Sequence, residues 1–214
     1  MPTFATPEPI TVAVEVLSGE VTVAASDRTD TVVAIRPADP TRKGDIRAAE
    51  QTRVDFTGGT LSVITPRDWR TYTPFGGNPS IAVTIEVPSG SRLKGTAAVG
   101  RLVGTGELGR CDLEVAAGDI VVERPTGSVT AKTAKGDIRI GEAVRGEVRL
   151  ETSMGELEVG IGPGSAARVE AGALHGTVQN LIQPVDPAAS NGDTVLVYAR
   201  NSYGNIIVRH ASVV

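Results

Sequence analysis

The chain has 214 residues and a net charge of −4, with 25 acidic and 21 basic side chains and no basic run, which excludes a nucleic-acid partner because phosphate binding needs clustered Lys and Arg. One cysteine cannot form an internal disulfide, and no apolar run approaches the roughly 20 residues of a transmembrane helix. With no signal-peptide pattern at the N-terminus, we expect a soluble, cytoplasmic protein without membrane insertion, or, as the alternative, a cell-surface protein exported by a non-standard route.

The N-terminal segments alternate apolar and polar residues, which is typical of β-strands. Strands are predicted in turn for ITVAVEV, EVTVAA, TVVAIRP, RVDF, TLSVITP and SIAVTIEVP. A turn at Ser18-Gly19 separates the first two, and Gly58-Gly59 joins RVDF to TLSVITP. The stretch DPTRKGDIRAAEQ (39–51) predicts the only helix, short and capped by Asp45.

A long irregular segment, RDWRTYTPFGGNP, lies between the strands TLSVITP and SIAVTIEVP. It holds three of the few aromatic residues, Trp69, Tyr72 and Phe75, with Arg70 beside them. One interpretation is a cap, in which Trp69 packs on the rest of the protein or on its open end. The other is a ligand-binding loop in which Arg70 supplies the polar group.

From Gly95 onward the sequence repeats. Gly100, Gly118, Gly136 and Gly155 are spaced by 18, 18 and 19 residues, and apolar residues recur at fixed places after each. The expected columns are Leu102, Ile120, Ile138 and Leu157 in one strand of each repeat, and Cys111/Leu113, Val129/Ala131, Val148/Leu150 and Ala167/Val169 in the other. After an insertion (182–193), TVLVYAR and GNIIV are expected to complete the final coil.

This period predicts an all-β fold: a parallel β-solenoid of about 18 residues per coil, with a modified N-terminal part and one short helix. We divide the single continuous domain into an N-terminal β region, 1–94, with a capping helix and the aromatic loop, and repeat coils, 95–214. A β-sandwich is the alternative, although its meanders do not place the same residue class at the same point of successive units.

An acidic residue follows the glycine of three repeats. If the apolar residues point inward, Asp119, Asp137 and Glu156 form an exterior column. The column has three interpretations: a solvated face, a calcium ladder, or carboxylate pairs for acid–base chemistry on a polysaccharide. Calcium-binding repeats place an acid every nine residues, which this chain does not, so we expect no metal; the three acids stay weak catalytic candidates.

Three further features carry little chemistry. GTGELG matches a dinucleotide-binding fingerprint, but a strand pattern rather than a helix follows it, so no cofactor is expected. Cys111 lies in an apolar column and is expected to be a small buried residue. His175 and His210 are expected in surface turns, and no spacing of Cys and His resembles a zinc site.

Several segments together resemble the bacterial putative-adhesin family, a domain of unknown function common in actinobacteria and built as a β-solenoid. They include TFATPEPITVAVEV, IEVPSGS, KGDIRIGEAVRGEVRLETSMGELEVGI and VYARNSYGNIIVR. The resemblance covers nearly the whole chain and implies the solenoid fold. The family offers no motif of catalytic residues.

Two functional hypotheses follow. The first is a non-enzymatic, adhesin-like scaffold or binding protein that presents its ladders or aromatic loop to a protein or carbohydrate partner, with homo-oligomers allowed. The second is an enzyme, or a small-molecule or carbohydrate binder, that uses the outer carboxylate face. We favour the first, because no catalytic constellation emerges from the residues.

Overall fold

The computed structural model describes residues 1–66, 79–182 and 193–211. This part of the chain is mostly β-strand, with a single helix, α1 (Lys43–Gln51). Strands in the N-terminal part are β1 (Thr3–Ala5), β2 (Thr11–Ser26), β3 (Asp30–Pro37), β4 (Arg53–Thr57), β5 (Thr60–Ile64), β6 (Ile81–Pro88) and β7 (Arg92–Leu108). The others are β8 (Cys111–Ala117), β9 (Ile120–Pro125), β10 (Val129–Lys135), β11 (Ile138–Ala143), β12 (Gly146–Met154), β13 (Leu157–Ile161), β14 (Ala166–His175), β15 (Val178–Asn180), β16 (Thr194–Tyr203) and β17 (Ile206–His210).

The strands from β8 onward pair in parallel, each with a strand from the neighbouring repeat. One row runs β8–β10–β12–β16–β14, and a second runs β9–β11–β13–β17–β15. We call the two strands that meet at one glycine corner a unit, so that β10 and β11 form the unit of Gly136. Each unit contributes one strand to each row, and the apolar core lies between the rows.

The predicted inward columns are confirmed where the repeat is regular. Ile138 is the register partner of both Ile120 and Leu157, and all three are fully buried. In the other row, Val129 pairs with Cys111 on one side and with Val148 on the other. Period-two alternation explains this: once one residue points inward, every second residue does.

In the N-terminal part, the two predicted strands ITVAVEV and EVTVAA form one continuous strand, β2. β2 is one strand of 16 residues, bent at Gly19, and it pairs in parallel with β7 along nearly its whole length. Its other edge pairs with β5 and then with β6. Antiparallel strands complete this end: β4 pairs with β5, and β3 pairs with both β6 and β1. The hairpin predicted at Gly58-Gly59 is confirmed.

The helix differs from its prediction. It begins at Lys43, before the predicted cap, and Asp45 is instead a buried residue of its first turn. Its carboxylate instead accepts the backbone N–H groups of Asp39, at 3.1 Å, and Ser80, at 3.1 Å. Asp45 therefore joins the helix to the chain on both sides of it. Among the described helices, none has the length and apolarity needed to cross a membrane.

The C-terminal units are not stacked in sequence order. The β16–β17 unit, expected to be last, lies between the β12–β13 unit and the β14–β15 unit. The expected register of β14 was also wrong by two residues, because Val148 shares its column with Val197 and then Val169, whereas Leu150 shares its column with Ala199 and Ala171. Local alternation determines which side chains point inward, but it does not determine which unit lies next.

Candidate functional site

The predicted acidic column lies at the glycine corners, where it links neighbouring units. Asp119 accepts the backbone N–H of Asp137 through Oδ1, at 3.0 Å. Asp137 repeats the contact one unit on, because its Oδ1 accepts the N–H of Glu156 at 2.8 Å. Asn205 does the same for Thr177, accepting both its N–H, at 3.1 Å, and its hydroxyl, at 2.9 Å. Asp119, Asp137 and Asn205 each follow a corner glycine directly, and each accepts a hydrogen bond from the neighbouring unit.

The corners themselves require glycine. Gly118, Gly136 and Gly155 have φ values of 142°, 146° and 151°, in a backbone region that residues with a side chain rarely adopt. A Cβ on Gly136 would lie 2.0 Å from the carbonyl oxygen of Gly118. The backbones of successive units therefore approach too closely for any side chain. On the inner side of the corners, Thr133 donates its hydroxyl proton to the Gly118 carbonyl, at 3.1 Å.

These contacts give Asp119 and Asp137 a structural role that the sequence did not reveal. Both side chains are exposed, and each already accepts a backbone N–H. Their participation in acid–base chemistry, with Glu156, stays a prediction. Of the residues described, no three His, Cys, Asp or Glu side chains lie close enough together to hold a metal ion.

The single cysteine is buried and poorly suited to nucleophilic chemistry. Cys111 is fully buried, and burial, followed by the charge of Asp112, raises the pKa of its thiol to about 12. The thiol is therefore protonated at neutral pH, whereas the thiolate is the nucleophile. Both histidines are exposed, and His175 stacks on the ring of Tyr203 with the ring centroids 4.7 Å apart.

The predicted aromatic loop is not among the described segments. Trp69, Arg70, Tyr72 and Phe75 all lie in 67–78, outside the described residues. Their proposed roles as a cap or as a ligand-binding loop stay predictions. The described surface offers a different candidate site, on β10, β12, β16 and β14.

This candidate is an open depression of about 830 Å³ on the outer face of β10, β12, β16 and β14. Two columns of outward side chains cross it. Lys132, Glu151, Arg200 and Gly172 occupy one column, and Arg149, Tyr198 and Glu170 occupy the next. We call this surface the C-terminal depression. It exists because β16 lies between β12 and β14, which places Tyr198 and Arg200 at its centre.

Most of the charges in the C-terminal depression are paired. Lys132 contacts Glu151 at 3.3 Å. Arg149 pairs with Glu147 at 2.6 Å, just beyond the depression's rim. Glu170 pairs with Arg168 at 3.3 Å along the same strand. Arg200 is the exception: it is exposed, and the described residues provide it with no ion partner. The depression therefore presents one uncompensated positive charge.

An aromatic ring lies beside that charge. The guanidinium carbon of Arg149 is 5.0 Å from the centre of the half-buried Tyr198 ring, within cation–π range. Hydrogen bonding to Glu147 raises the pKa of Arg149, with a smaller contribution from the charge of that carboxylate. Arg149 therefore holds its charge against one face of the Tyr198 ring, and Tyr198 and Arg200 both line the depression, two residues apart on β16.

Gly172 completes the depression by lacking a side chain. Unlike the corner glycines, it needs no special backbone conformation, and a Cβ built on it would meet no atom within 4 Å. No packing constraint thus explains glycine at this position. Its effect is to leave open space on β14 beside Arg200, its register partner on β16.

The sequence reading missed this site, although one signal was present. Alternation in TVLVYAR predicts that Tyr198 and Arg200 share the outer face of their strand. Their neighbours on β12 and β14 follow only from the spatial order of the units, which the repeat pattern left undetermined. The aromatic ring and the free arginine therefore looked like isolated surface residues.

Comparison with known proteins gives a match in structure only. No protein-family model matches the chain, and no curated protein matches it in sequence. A solved structure of a putative cell adhesion protein from Clostridium sporogenes is similar at a TM-score of 0.57 and 10% identity, covering 98% of each chain. At that identity the likeness shows a shared fold along the whole chain.

Two further solved structures are similar at lower scores. A putative adhesin from Bacteroides fragilis has a TM-score of 0.43 and 11% identity, covering 97% of this chain and 95% of its own. A putative lipid binding protein from Parabacteroides distasonis has a TM-score of 0.36 and 11% identity, covering 99% of this chain and 94% of its own.

Proposed function

We propose that the protein is a non-enzymatic, adhesin-like binding protein built as a parallel β-solenoid. The fold it shares with the clostridial protein, which is described as a putative cell adhesion protein, supports this role, and so does the resemblance to the putative-adhesin family. Parallel pairing of successive units at a period of 18 or 19 residues supports the solenoid. Such a stack presents an extended, rigid outer face to a partner.

The ligand, in this proposal, binds in the C-terminal depression and carries a negative charge beside a flat apolar face. The observation that carries this is Arg200, which has no ion partner among the described residues, two positions from Tyr198 on the outer face of β16. Arg recognises carboxylates through two parallel N–H donors, and an aromatic ring packs against the flat face of a sugar or a similar ring. An acidic saccharide has both features, so we propose acidic carbohydrate as the ligand class.

Binding of oligogalacturonate, a carboxylate-bearing saccharide, tests the proposal by calorimetry or by interferometry on the immobilised protein. Neutral dextran fragments of similar length provide the ligand control. Arg200→Ala and Tyr198→Ala should each weaken oligogalacturonate binding by tenfold or more, equivalent to about 1.4 kcal/mol or above. Arg101→Ala removes another exposed arginine outside the depression and should leave the affinity unchanged.

Three outcomes would contradict the proposal. One is an affinity for oligogalacturonate no higher than for dextran. Another is binding that Arg101→Ala weakens as much as Arg200→Ala does, because the contact would then be non-specific attraction to surface charge. The last is turnover of the saccharide that Asp137→Asn abolishes, which would favour the enzymatic hypothesis on the outer carboxylate face.

A further inference from the structure

In the described part of the chain, one end of the strand rows has an edge that pairs with no further strand. Among the described residues, β14 pairs only with β16, and β15 pairs only with β17. At the opposite end, antiparallel strands cover the corresponding positions, since β4 lies against β5 and β3 against β6. The two ends therefore differ in kind: one stops in the antiparallel strands β4 and β1, and the other stops in the parallel strands β14 and β15.

The free edge carries unpaired backbone groups in a known direction. Leu93 and Cys111 donate their N–H groups to carbonyls of the next unit along the row, at 2.9 Å and 3.0 Å. Val169 is the last member of the same column, which continues through Val129, Val148 and Val197. Its N–H therefore points away from β16. Because strand backbone groups alternate in direction, those of Ala167 and Ala171 point to the same edge.

Apolar side chains accompany these backbone groups. Val169 is only half-buried, whereas Val148 and Val197 in the same column are fully buried. In the other row, Val178 on β15 is 44% exposed, whereas its register partner Ile206 is fully buried, and Leu181 just beyond β15 is 57% exposed. The core thus continues to this end without a covering layer among the described residues.

The strand has only part of the usual protection of an edge, because its two exposed charges, Arg168 and Glu170, have opposite signs and pair with each other. Exposed edges commonly carry lysine or proline, which disfavour pairing with another chain. β14 contains neither of these, and four of its ten residues are alanine. Its sequence is therefore permissive for the addition of another strand.

We propose that this edge binds the same edge of a second copy of the chain, with β14 pairing antiparallel to the partner's β14 about a two-fold axis. In an antiparallel pair, two residues that lie opposite each other must both direct their N–H and C=O groups toward the partner strand, or both away from it. The two-fold axis must therefore pass through the position of one residue and not between two residues. With the axis at Glu170, two carboxylates would oppose each other. With the axis at Val169, Arg168 of each copy lies opposite the Glu170 carboxylate of the other, so the ion pair within each strand extends into a network of four charges of alternating sign.

The register at Val169 also matches the backbone groups. Val169 of one copy then lies opposite Val169 of the other, and Ala167 lies opposite Ala171. All of these residues direct their N–H and C=O groups at the interface. The half-buried apolar side chains of the two ends then cover each other. The contact is isologous and closes at two copies, because it uses the same edge of both molecules.

The mass of the full-length protein in solution is the first test. Sedimentation velocity or light scattering over a range of micromolar concentrations should show a species of twice the 22.1 kDa chain mass. Arg168→Glu places like charges opposite each other twice and should raise the dimer dissociation constant about tenfold. Glu170→Arg should do the same. The double variant Arg168→Glu/Glu170→Arg restores both pairs and should return the dissociation constant to near that of the parent.

Glu114→Arg is the matched control, because Glu114 is exposed on β8, in the middle of its row. It should leave the dimer unchanged. A parent protein that stays monomeric at every concentration would overturn the proposal. So would a dimer that neither single charge reversal weakens, or one that the double variant does not restore, because the contact would then lie elsewhere.

Discussion

At the scale of single residues, the glycine corners make the most specific demand on the sequence. At Gly136, alanine would have to adopt a φ of 146° with its Cβ 2.0 Å from a backbone oxygen. Backbone atoms cannot move away as a flexible side chain can, so Gly136→Ala should lower the free energy of unfolding by about 3 kcal/mol or more. Chemical denaturation measures the change.

Gly172→Ala is the matched control for that substitution. A Cβ at this position meets nothing within 4 Å, and the backbone conformation is ordinary. Its effect should stay within about 0.5 kcal/mol, or stabilise slightly by restricting the unfolded chain. Equal losses at the two glycines would show that close approach of the units is not what selects glycine at the corners.

The corner acids should act through their oxygen atoms rather than through their charge. Asparagine keeps the Oδ1 acceptor, and Asn205 already plays this role in the chain. Asp137→Asn should therefore preserve the melting temperature, whereas Asp137→Ala loses a hydrogen bond and should cost about 1 kcal/mol. If both variants lost stability equally, the negative charge itself would be the stabilising feature.

Glu158 should make stability depend on pH. Burial raises the pKa of its carboxyl group, but hydrogen bonds from Arg209, at 2.6 Å, and Arg139, at 2.5 Å, outweigh burial and hold the pKa below the usual 4.5. Because the folded pKa lies below the unfolded one, the stabilisation is fully present above about pH 4.5 and is lost as the pH falls through the folded value.

Glu158→Gln measures this contribution. The variant should be less stable than the parent at pH 7, by about 1 kcal/mol, and the difference should shrink in acid as the parent carboxylate becomes protonated. A stability difference that does not change between pH 7 and the acid limit would show that the two arginines do not lower the pKa.

At the scale of the elements, the sequence predicts which residues point inward, but it does not predict the spatial order of the strands. Alternation places Ile120, Ile138 and Leu157 correctly, because a shift of one residue would expose every apolar side chain of the strand. The place of β16 could not be predicted in this way, since Val197 and Val169 fit the same column equally well. The C-terminal depression, which depends on that place, was hidden for the same reason.

The inward columns themselves are open to a direct test. Ile138→Asp puts a carboxylate between two apolar neighbours in the core, without a partner, and should cost more than about 4 kcal/mol or prevent folding. Ala134→Asp, on the exposed face of β10, should change stability by less than about 0.5 kcal/mol. A folded Ile138→Asp protein with the melting temperature of the parent would show that the assigned inward face is wrong.

At the scale of the whole molecule, the long strand β2 and the β16–β17 unit each lie between other strands. β2 pairs with β7 on one edge and with β5 and β6 on the other. The β16–β17 unit likewise pairs on both edges, and the β14–β15 unit, earlier in the sequence, forms the end of the rows. This order places Tyr198 and Arg200 among the residues of the depression, so the proposed ligand site depends on it.

The spatial order of the units is therefore the claim to test, and a pair of engineered disulfides tests it directly. In a Cys111→Ala background, Glu151→Cys/Arg200→Cys joins register partners on β12 and β16. Neighbouring strands lie about 4.8 Å apart, within the Cα separation that a disulfide spans, whereas strands two places apart are separated by about 10 Å. The companion variant, Glu151→Cys/Gly172→Cys, joins residues that would be neighbours only if the units followed sequence order.

Titration of free thiols after mild oxidation of the folded proteins is the measurement. We predict complete loss of free thiol within single chains of Glu151→Cys/Arg200→Cys, and two free thiols in Glu151→Cys/Gly172→Cys. The reverse result, a disulfide between residues 151 and 172 and none between 151 and 200, would place β14 beside β12 and contradict both the fold and the site described above.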